Sequence, residues 1–474
     1  MNLLCRARAF QYVLLTTLLL MGTHRAGAQP NDDAVRTVRD FGAIGDGKAD
    51  DTAAFQKAVD AHAGALRLPK GKYRITKPIR IALDETGYTS IVGDGTATVI
   101  MAGEGPAFHI VGTHDGTAAP HTVKDAVWAN QRMPLIDGFE IRGEHPKSLG
   151  VVAEGTMNAI FSRLLIRRVR DGIVLTGRNR NVLISECQIY HNRGVGIYLD
   201  RVNLHQINIA NSHISYNGGG GVVVRRSEVR NLQIGTSDIE GNMDPDGPPT
   251  ANILIDTREG SVREGAIVGC TLQHTHEAPG SANIRFIGRE KEPIKIGYFS
   301  ISGNALSDVA VNVHLKYVRG VSITGNSFWK GFEHNLLVEG SSNIVVGPNL
   351  FDRNPDYRPA DSRNSLLFVD SVDSTLTGLH INHALGEEAA LALRRCKRFN
   401  VTNSMILDSA NVGLLLDEVE HTRVSDTVIR NDRADAGEFV AIRVLGGDDN
   451  SLADNVFGGT VDIDGGSASI SGNR

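Results

Sequence analysis

The chain has 474 residues, a formal charge of -5 and 41% hydrophobic residues, with 52 Gly, 4 Cys and 2 Trp. Aromatic residues make up only 5%, and glycine stands above the ~7% usual for soluble proteins. That mixture suits many short strands joined by tight turns. It excludes a collagen-like chain, a coiled coil and a polytopic membrane protein, and no basic stretch is concentrated enough to predict a nucleic-acid partner.

The chain opens with Arg6 and Arg8, an apolar run from Val13 to Met21, and a small-residue site at Ala26-Gly27-Ala28. Residues 1–28 are therefore expected to be an export signal rather than a membrane anchor. Cys5 precedes the apolar run, which argues against lipid attachment. The mature chain is expected in the periplasm or outside the cell, with no stable membrane insertion. Losing Arg6, Arg8 and Arg25 would take its formal charge from -5 to -8. Cys187, Cys270 and Cys396 then remain, an odd and sparse set that predicts buried thiols rather than a disulfide framework.

The next segment runs Val38-Arg-Asp-Phe-Gly-Ala-Ile-Gly-Asp-Gly-Lys-Ala-Asp-Asp-Thr and on to Asp60. Asp51 or Thr52 can cap a short helix whose apolar face is Ala54, Ala58 and Val59, with Phe55 nearby. From about residue 158 the chain repeats. Asn181–Asn192 with Gly196–Asp200 stacks on Gln206–Asn217 with Gly221–Arg225, and similar lines continue to the C-terminus. Each line holds three short segments of period-two alternation divided by Asn, Gly or Ser. Such segments are stable only when stacked, so the pattern predicts a parallel β-helix of roughly a dozen coils. The short N-terminal helix would then cover the open first coil. Longer lines place loops at coil corners, notably Gly241–Pro249, His274–Gly280 and Asp352–Asp361, where binding residues concentrate. The expected division is 1–28 signal peptide, 35–130 cap and first coils with a loop, and 131–474 solenoid coils. The last coil, Val461–Asn473, has no clear cap of its own.

Phe41-Gly-Ala with Gly45-Asp46-Gly47, Asp50-Asp51-Thr52 and Pro69-Lys-Gly-Lys-Tyr73 closely resemble the opening of the pectate-lyase-like superfamily. The resemblance implies an all-β fold, a right-handed parallel β-helix solenoid with a short capping helix. It also implies action on a polysaccharide or oligosaccharide, and trimers are common in the resembled fold. Asp46, Asp50 and Asp51 read as turn and cap residues shared across quite different chemistries. The polygalacturonase branch carries an Asn-Thr-Asp, an Asp-Asp, a Gly-His-Gly and an Arg-x-Lys on successive coils. The first three are missing here at matching positions, so that inverting mechanism is not carried over.

Aligning the last segment of each line predicts inward Ile197, Leu199, Val222, Val224, Ile253, Ile255, Ile284, Phe286, Val313, Leu315, Leu336 and Val338. The outward columns are then Gly196, Gly221, Asn252, Asn283, Asn312, Asn335; Tyr198, Val223, Leu254, Arg285, His314, Leu337; and Asp200, Arg225, Asp256, Ile287, Lys316, Glu339. With coils ~4.8 Å apart, Asp256, Arg285, His314 and Lys316 gather within a few coils. The expected substrate contacts are Tyr198, Asp200, Arg225, Asn252, Asn283, Arg285, Asn312 and Glu339, although the Asn row also fits a self-bonded amide ladder.

Two reactions fit this face. A hydrolase would pair Asp244 or Asp246 on the loop with Asp256, at a separation of ~5–9.5 Å. A uronan lyase would use Lys316 or His314 as base and Arg225 or Arg285 to neutralise the carboxylate, with an Asp pair holding Ca²⁺. No cofactor is otherwise expected. His274 and His276 on the neighbouring loop read as solvated, and Trp329 and Tyr357 are among the few aromatics near the face. The mixed-sign charges favour an acidic or hydroxyl-rich glycan as substrate, cleaved by a glycoside hydrolase or polysaccharide lyase. The alternative is a secreted glycan-binding or structural β-helix without catalysis.

Overall fold

The structure, a computed structural model, describes residues 36–474 except 63, 354–361, 386–387, 434–436 and 465–466. The expected export signal at 1–28, Cys5, Tyr357 and most of the 352–361 loop lie outside the described residues. No helix among the described residues is long and apolar enough to cross a membrane.

Among the described residues all the strand pairings between coils are parallel, and they form two sheets of 31 and 16 strands. The larger sheet wraps two faces of the solenoid because strands Ile173–Ser185 and Val195–Ala210 run unbroken over the corner between them. The smaller sheet is the third face, from Asp46–Asp50 to Val456–Gly458. Single residues in the left-handed conformation bend each coil: in one coil they are Arg201, Gln206, Asn211 and Tyr216, with φ of 50°, 67°, 50° and 57°. One such residue turns the chain without breaking the ladder on either side, so each coil stays short.

On the first face Ile197 pairs with Val222, Val222 with Ile253, Ile253 with Ile284, Ile284 with Val313 and Val313 with Leu336. All the inward residues expected from the alternation are buried, none more than 1% exposed. Each such aliphatic side chain contributes about 1.5–3 kcal/mol through burial, and a single core runs through the coils in place of cross-links. Cys187, Cys270 and Cys396 are buried free thiols in that core. Burial pushes them up to about 12, 11 and 11, so they are inert fillers rather than nucleophiles.

The capping helix spans Thr52–Asp60 and buries Phe55, Ala58 and Val59, with Ala54 packed at the edge. Its first free amide is satisfied by Asp50, whose Oδ1 accepts from Thr52 N at 3.0 Å. Asp51 turns the other way, accepting from Ile44 N at 2.7 Å and Gly45 N at 3.1 Å, so it fastens the preceding turn instead of capping the helix. At the far end Val461 and Ile470 are 41% and 57% exposed, which leaves the last coil thin.

The expected outward Asn column requires correction. Asn252, Asn283, Asn312 and Asn335 are all 0% exposed. The alternation fails there because the chain is still turning the corner, which directs these side chains inside. Asn252 donates to Asn283 at 2.7 Å, Asn283 to Asn312 at 2.7 Å and Asn312 to Asn335 at 2.8 Å. In earlier coils the ladder is carried before the turn, with Asn192 donating to Asn217 and Asn217 to Asn242 at 2.8 and 2.7 Å. Asn242 hands it over to Asn252 at 2.9 Å within one coil. Gly196 and Gly221 occur where the ladder runs on the other side. A Cβ there would lie 3.0 and 2.9 Å from the amide nitrogens of Asn217 and Asn242.

Candidate functional site on the first face

With the Asn column inside, the side chains facing out of the first face divide into two polar groups separated by an apolar patch. Val223 and Leu254 point outward yet are 0% and 2% exposed, packed with Val195, Ala251 and Ala282 from the corner segments. The loops before these strands thus fold over the middle of the face.

The first group surrounds a cavity of about 270 Å³ lined by Tyr198, Arg225, Arg226, Asp256, Arg258 and Glu259. Asp200 accepts from Arg226 Nη2 at 2.6 Å and Nε at 3.0 Å, and the same guanidinium donates to the Tyr198 hydroxyl at 3.2 Å. Arg225 lines the cavity, and its Nε is buried without a hydrogen-bond partner. Asp256 is 6% exposed and bound by Arg258 through Nε at 2.9 Å, Nη2 at 2.5 Å and the backbone amide at 3.1 Å. Burial pushes its carboxyl up, but the bonds from Arg258 outweigh burial and hold it below the usual carboxylate range.

This environment corrects the catalytic role expected of Asp256. A carboxylate bound by a guanidinium is a poor proton donor, and its expected partners are not beside it. Asp244 lines a separate hollow with His191, Arg193, Tyr216 and Thr275. It lies next to Gly218, at the corner that precedes the strand Gly220–Arg225, whereas Asp256 is the last residue of the neighbouring strand Ile253–Asp256. Asp246 is exposed and donates its amide to Asp244 Oδ1 at 3.0 Å, a local turn. The hydrolase pair is therefore not assembled. His276 stacks on Phe332 with centroids 3.8 Å apart, and His274 lies 3.9 Å from Glu240. Among the described residues no three His, Cys, Asp or Glu side chains gather as metal ligands. An Asp pair for Ca²⁺ does not fit either, because Asp256 is already held by Arg258.

The second group is a continuous row on three successive coils. Arg285 donates Nε to His314 Nδ1 at 3.3 Å, His314 Nε2 meets Glu339 Oε2 at 2.6 Å, and Lys316 Nζ donates to Glu339 Oε1 at 3.1 Å. Arg285 is not a surface contact as expected: it is 8% exposed, and its other nitrogens donate to Gly280 O at 2.6 Å and Thr250 O at 3.3 Å. It pins two corner loops and fixes the neighbouring imidazole. Because Arg285 carries only donors, Nδ1 is the acceptor and the ring proton sits on Nε2 facing Glu339. The bond from His314, with Lys316 adding to it against the opposing effect of burial, pulls the Glu339 carboxyl down to about 2. The side chains of His314, Glu339 and Lys316 are 15%, 30% and 36% exposed, so the row is half-open to solvent.

The alignment of columns thus brought His314, Lys316 and Glu339 together, and Tyr198, Asp200 and Arg225 together. It missed Arg226 and Arg258, which lie just past the strand ends. Their signal was a basic residue one or two positions beyond an outward strand-end residue, as in Arg225-Arg226 and Asp256-Thr-Arg258. Trp329 is half-buried, with its carbonyl accepting from Asn312 at 3.0 Å, so its backbone closes the ladder.

Three family models match the chain: rhamnogalacturonase A/epimerase, pectate lyase-like, over residues 35–133; right handed beta helix region over 122–263; and periplasmic copper-binding protein (NosD) over 288–473. The mannuronan C5-epimerase AlgE3 of Azotobacter vinelandii is 30% identical over 278 residues, which cover 50% of this chain and 14% of that protein. These matches support a pectate-lyase-like β-helix superfamily for the chain. Its solenoid is the right-handed parallel β-helix of that group. The mannuronan C5-epimerase AlgE1 of the same organism is 28% identical over 222 residues, covering 35% of this chain and 16% of that protein. The chain thus spans only a small part of the length of these relatives. Pre-mature bacteriophage phi29 gene product 12 superposes with a TM-score of 0.50 at 13% identity, over 92% of this chain and 56% of that one.

Proposed function

We propose that the protein is an exported carbohydrate-active enzyme that binds an acidic polysaccharide along its first face and moves a proton at the carbon beside a uronate carboxylate. The observation that carries this reading is the Arg285–His314–Glu339–Lys316 row. His314 enters with its lone pair on Nδ1, and Glu339 orients the ring and stabilises the imidazolium that forms. His314 Nδ1 exchanges the long 3.3 Å bond it accepts from Arg285 for the C5 proton, the electron pair passes into the adjacent carboxylate, and Lys316 offsets the charge. Breaking the C4–O bond, with a proton delivered to the leaving oxygen, gives an unsaturated lyase product. A proton delivered from water to the opposite side of C5, with the proton on His314 passing to solvent, instead gives an epimer.

A hydrolase needs one carboxyl group that stays protonated near neutral pH. Asp256 and Glu339 are both held below their ordinary range, which favours proton abstraction over hydrolysis. The name mannuronan C5-epimerase borne by two relatives supports an acidic glycan as substrate, and the match to a periplasmic family model supports export.

The test is product analysis of mannuronan, polygalacturonate, a glycosaminoglycan and a neutral glucan, with wild type and His314→Gln, in Ca²⁺ and in EDTA. Ultraviolet absorbance reads a 4,5-unsaturated uronide and NMR reads C5 configuration. Either change on an acidic glycan, lost in His314→Gln, is expected. Saturated shorter fragments would point to hydrolysis, and binding without turnover would make this a glycan-binding protein.

A further inference from the structure

A cavity of about 640 Å³ lies on the second face, away from the row just described, where the hollow beside Tyr198 is about 270 Å³. Its floor follows the register. Ile160 pairs with Leu183, Leu183 with Asn208 and Asn208 with Gln233, all on the outward side of the face. One wall is the bend before those strands, where Asn158, Asn181, Gln206 and Asn231 adopt left-handed φ of 57°, 54°, 67° and 56°. Left-handed residues at equivalent positions stack their side chains beside one another, so the wall is a row of amides. Leu183 is 42% exposed and Met133, at the end of the cavity, is 58% exposed. Apolar surface set among amides suits a sugar, whose ring presents C–H groups on its face and hydroxyls at its edge.

One residue before the amide wall runs a second column, in which Arg180 pairs with His205, His205 with Arg230 and Arg230 with Arg263. Burial lowers the His205 pKa and keeps that imidazole towards its neutral form, but Arg230 and Arg263 lie one coil apart, ~4.8 Å, and such like charges repel unless something negative offsets them. The local offset is partial. Arg230 Nη2 lies 3.5 Å from Glu228, Glu264 lies 3.4 Å from Asn231 Nδ2, and Arg180 donates to the carbonyls of Thr117 and Ala118. His205 Nδ1, Arg263 Nε, Arg178 Nε and Asn181 Oδ1 are buried without hydrogen-bond partners. His114, 2% exposed, has no partner on either ring nitrogen. Burial chiefly, with Arg178 and Arg180 adding to it, pulls that imidazole down to about 4.

We infer that this groove is a second, non-catalytic binding site for an acidic oligosaccharide lying along the solenoid axis. The amides take its hydroxyls, Leu183 and Met133 pack against its rings, and its carboxylates face the Arg180–His205–Arg230–Arg263 column. The coil rise of ~4.8 Å suits an extended acidic chain, because three of the four successive coils offer a guanidinium, Arg180, Arg230 and Arg263, while burial keeps the intervening His205 towards its neutral form. This site stands independently of the chemistry assigned to the first face, and it would keep a polymer attached between turnovers.

Hydroxyl-radical footprinting of the mature chain tests it, with uronate oligomers and with the same oligomers carboxyl-reduced to neutral sugars. Oxidation of Met133 and Leu183 is expected to fall severalfold with the uronates and to stay unchanged with the reduced sugars. The exposed pair Asn208→Asp with Gln233→Glu should abolish that protection and weaken binding about tenfold, while His314→Gln should leave the protection intact. Equal protection by reduced sugars, protection that survives the double variant, or no protection by uronates would overturn the inference. Turnover on the first face is read separately, so the two sites can fail independently.

Discussion

Asn312 and His314 lie two residues apart on one strand, yet they belong to regions that behave in opposite ways. Asn312 is sealed in a ladder where its donor and acceptor groups are already matched by Asn283, Asn335 and the carbonyl of Trp329. His314 sits in a row that is ordered at both ends but open to solvent, with Arg285 and Glu339 holding it in one tautomer. The same strand, Val309–Lys316, therefore supplies stability at Asn312 and reactive capacity at His314. Polar residues that satisfy one another fix a fold, whereas polar residues held in place with capacity to spare can act on a ligand.

Changing each region separately should separate these properties. The largest effect is expected from His314→Gln: turnover should fall by about 10²–10⁴-fold with little change in the thermal midpoint, read by steady-state kinetics beside a melting curve. Asn283→Ala should do the reverse. It strands the Asn252 donor and the Ser307 carbonyl, at a cost of about 3 kcal/mol in denaturant unfolding. Equal loss of activity and stability in both variants would remove the distinction.

Glu339→Gln sharpens the comparison within the row. Losing one charge-assisted hydrogen bond to the imidazole should lower turnover about tenfold. The variant should also change the acid limb of stability. The native carboxyl sits at about 2, below its ordinary ~4.3, so its contribution is full above the higher value and lost as pH falls through the lower one. Melting curves between those limits should show wild type losing stability that the variant never had. The smallest effect is expected from Arg258→Ala. It frees Asp256 and should raise its pKa toward the ordinary range, with a stability change under about 1 kcal/mol because Arg258 is 65% exposed. Turnover should hold, since Asp256 is not the proton-transfer group; NMR titration of its carboxyl would check the shift.

The fold was legible because alternation and coil stacking are properties of sequence spacing: every inward residue from Ile197 to Val338 landed in the core. The same spacing brought His314, Lys316 and Glu339 onto neighbouring coils. It foresaw the amide ladder of Asn252, Asn283 and Asn312 but placed it outward, because alternation assumes a straight strand and these residues sit where the coil is still turning. It misjudged Arg285 because register cannot show that the loops around Thr250 and Gly280 fold over the face. Asp244 and Asp256 were paired because the corner loop was expected to open beside the strand, but Asp244 sits on that loop near Gly218 while Asp256 closes the strand Ile253–Asp256, and the two line different hollows. The second-face groove went unnoticed because its cations and amides fall one per coil, far apart in the chain.

The measurement that tests the account most directly is solvent deuterium incorporation at C5 of a polyuronate incubated with the protein in D₂O, followed by NMR. Proton transfer by His314 predicts deuterium at C5, or loss of the C5 proton into an unsaturated product. That signal should vanish in His314→Gln and persist in Asp256→Asn. Chain cleavage that leaves every C5 proton in place, or a C5 signal that disappears in Asp256→Asn but survives in His314→Gln, would contradict it.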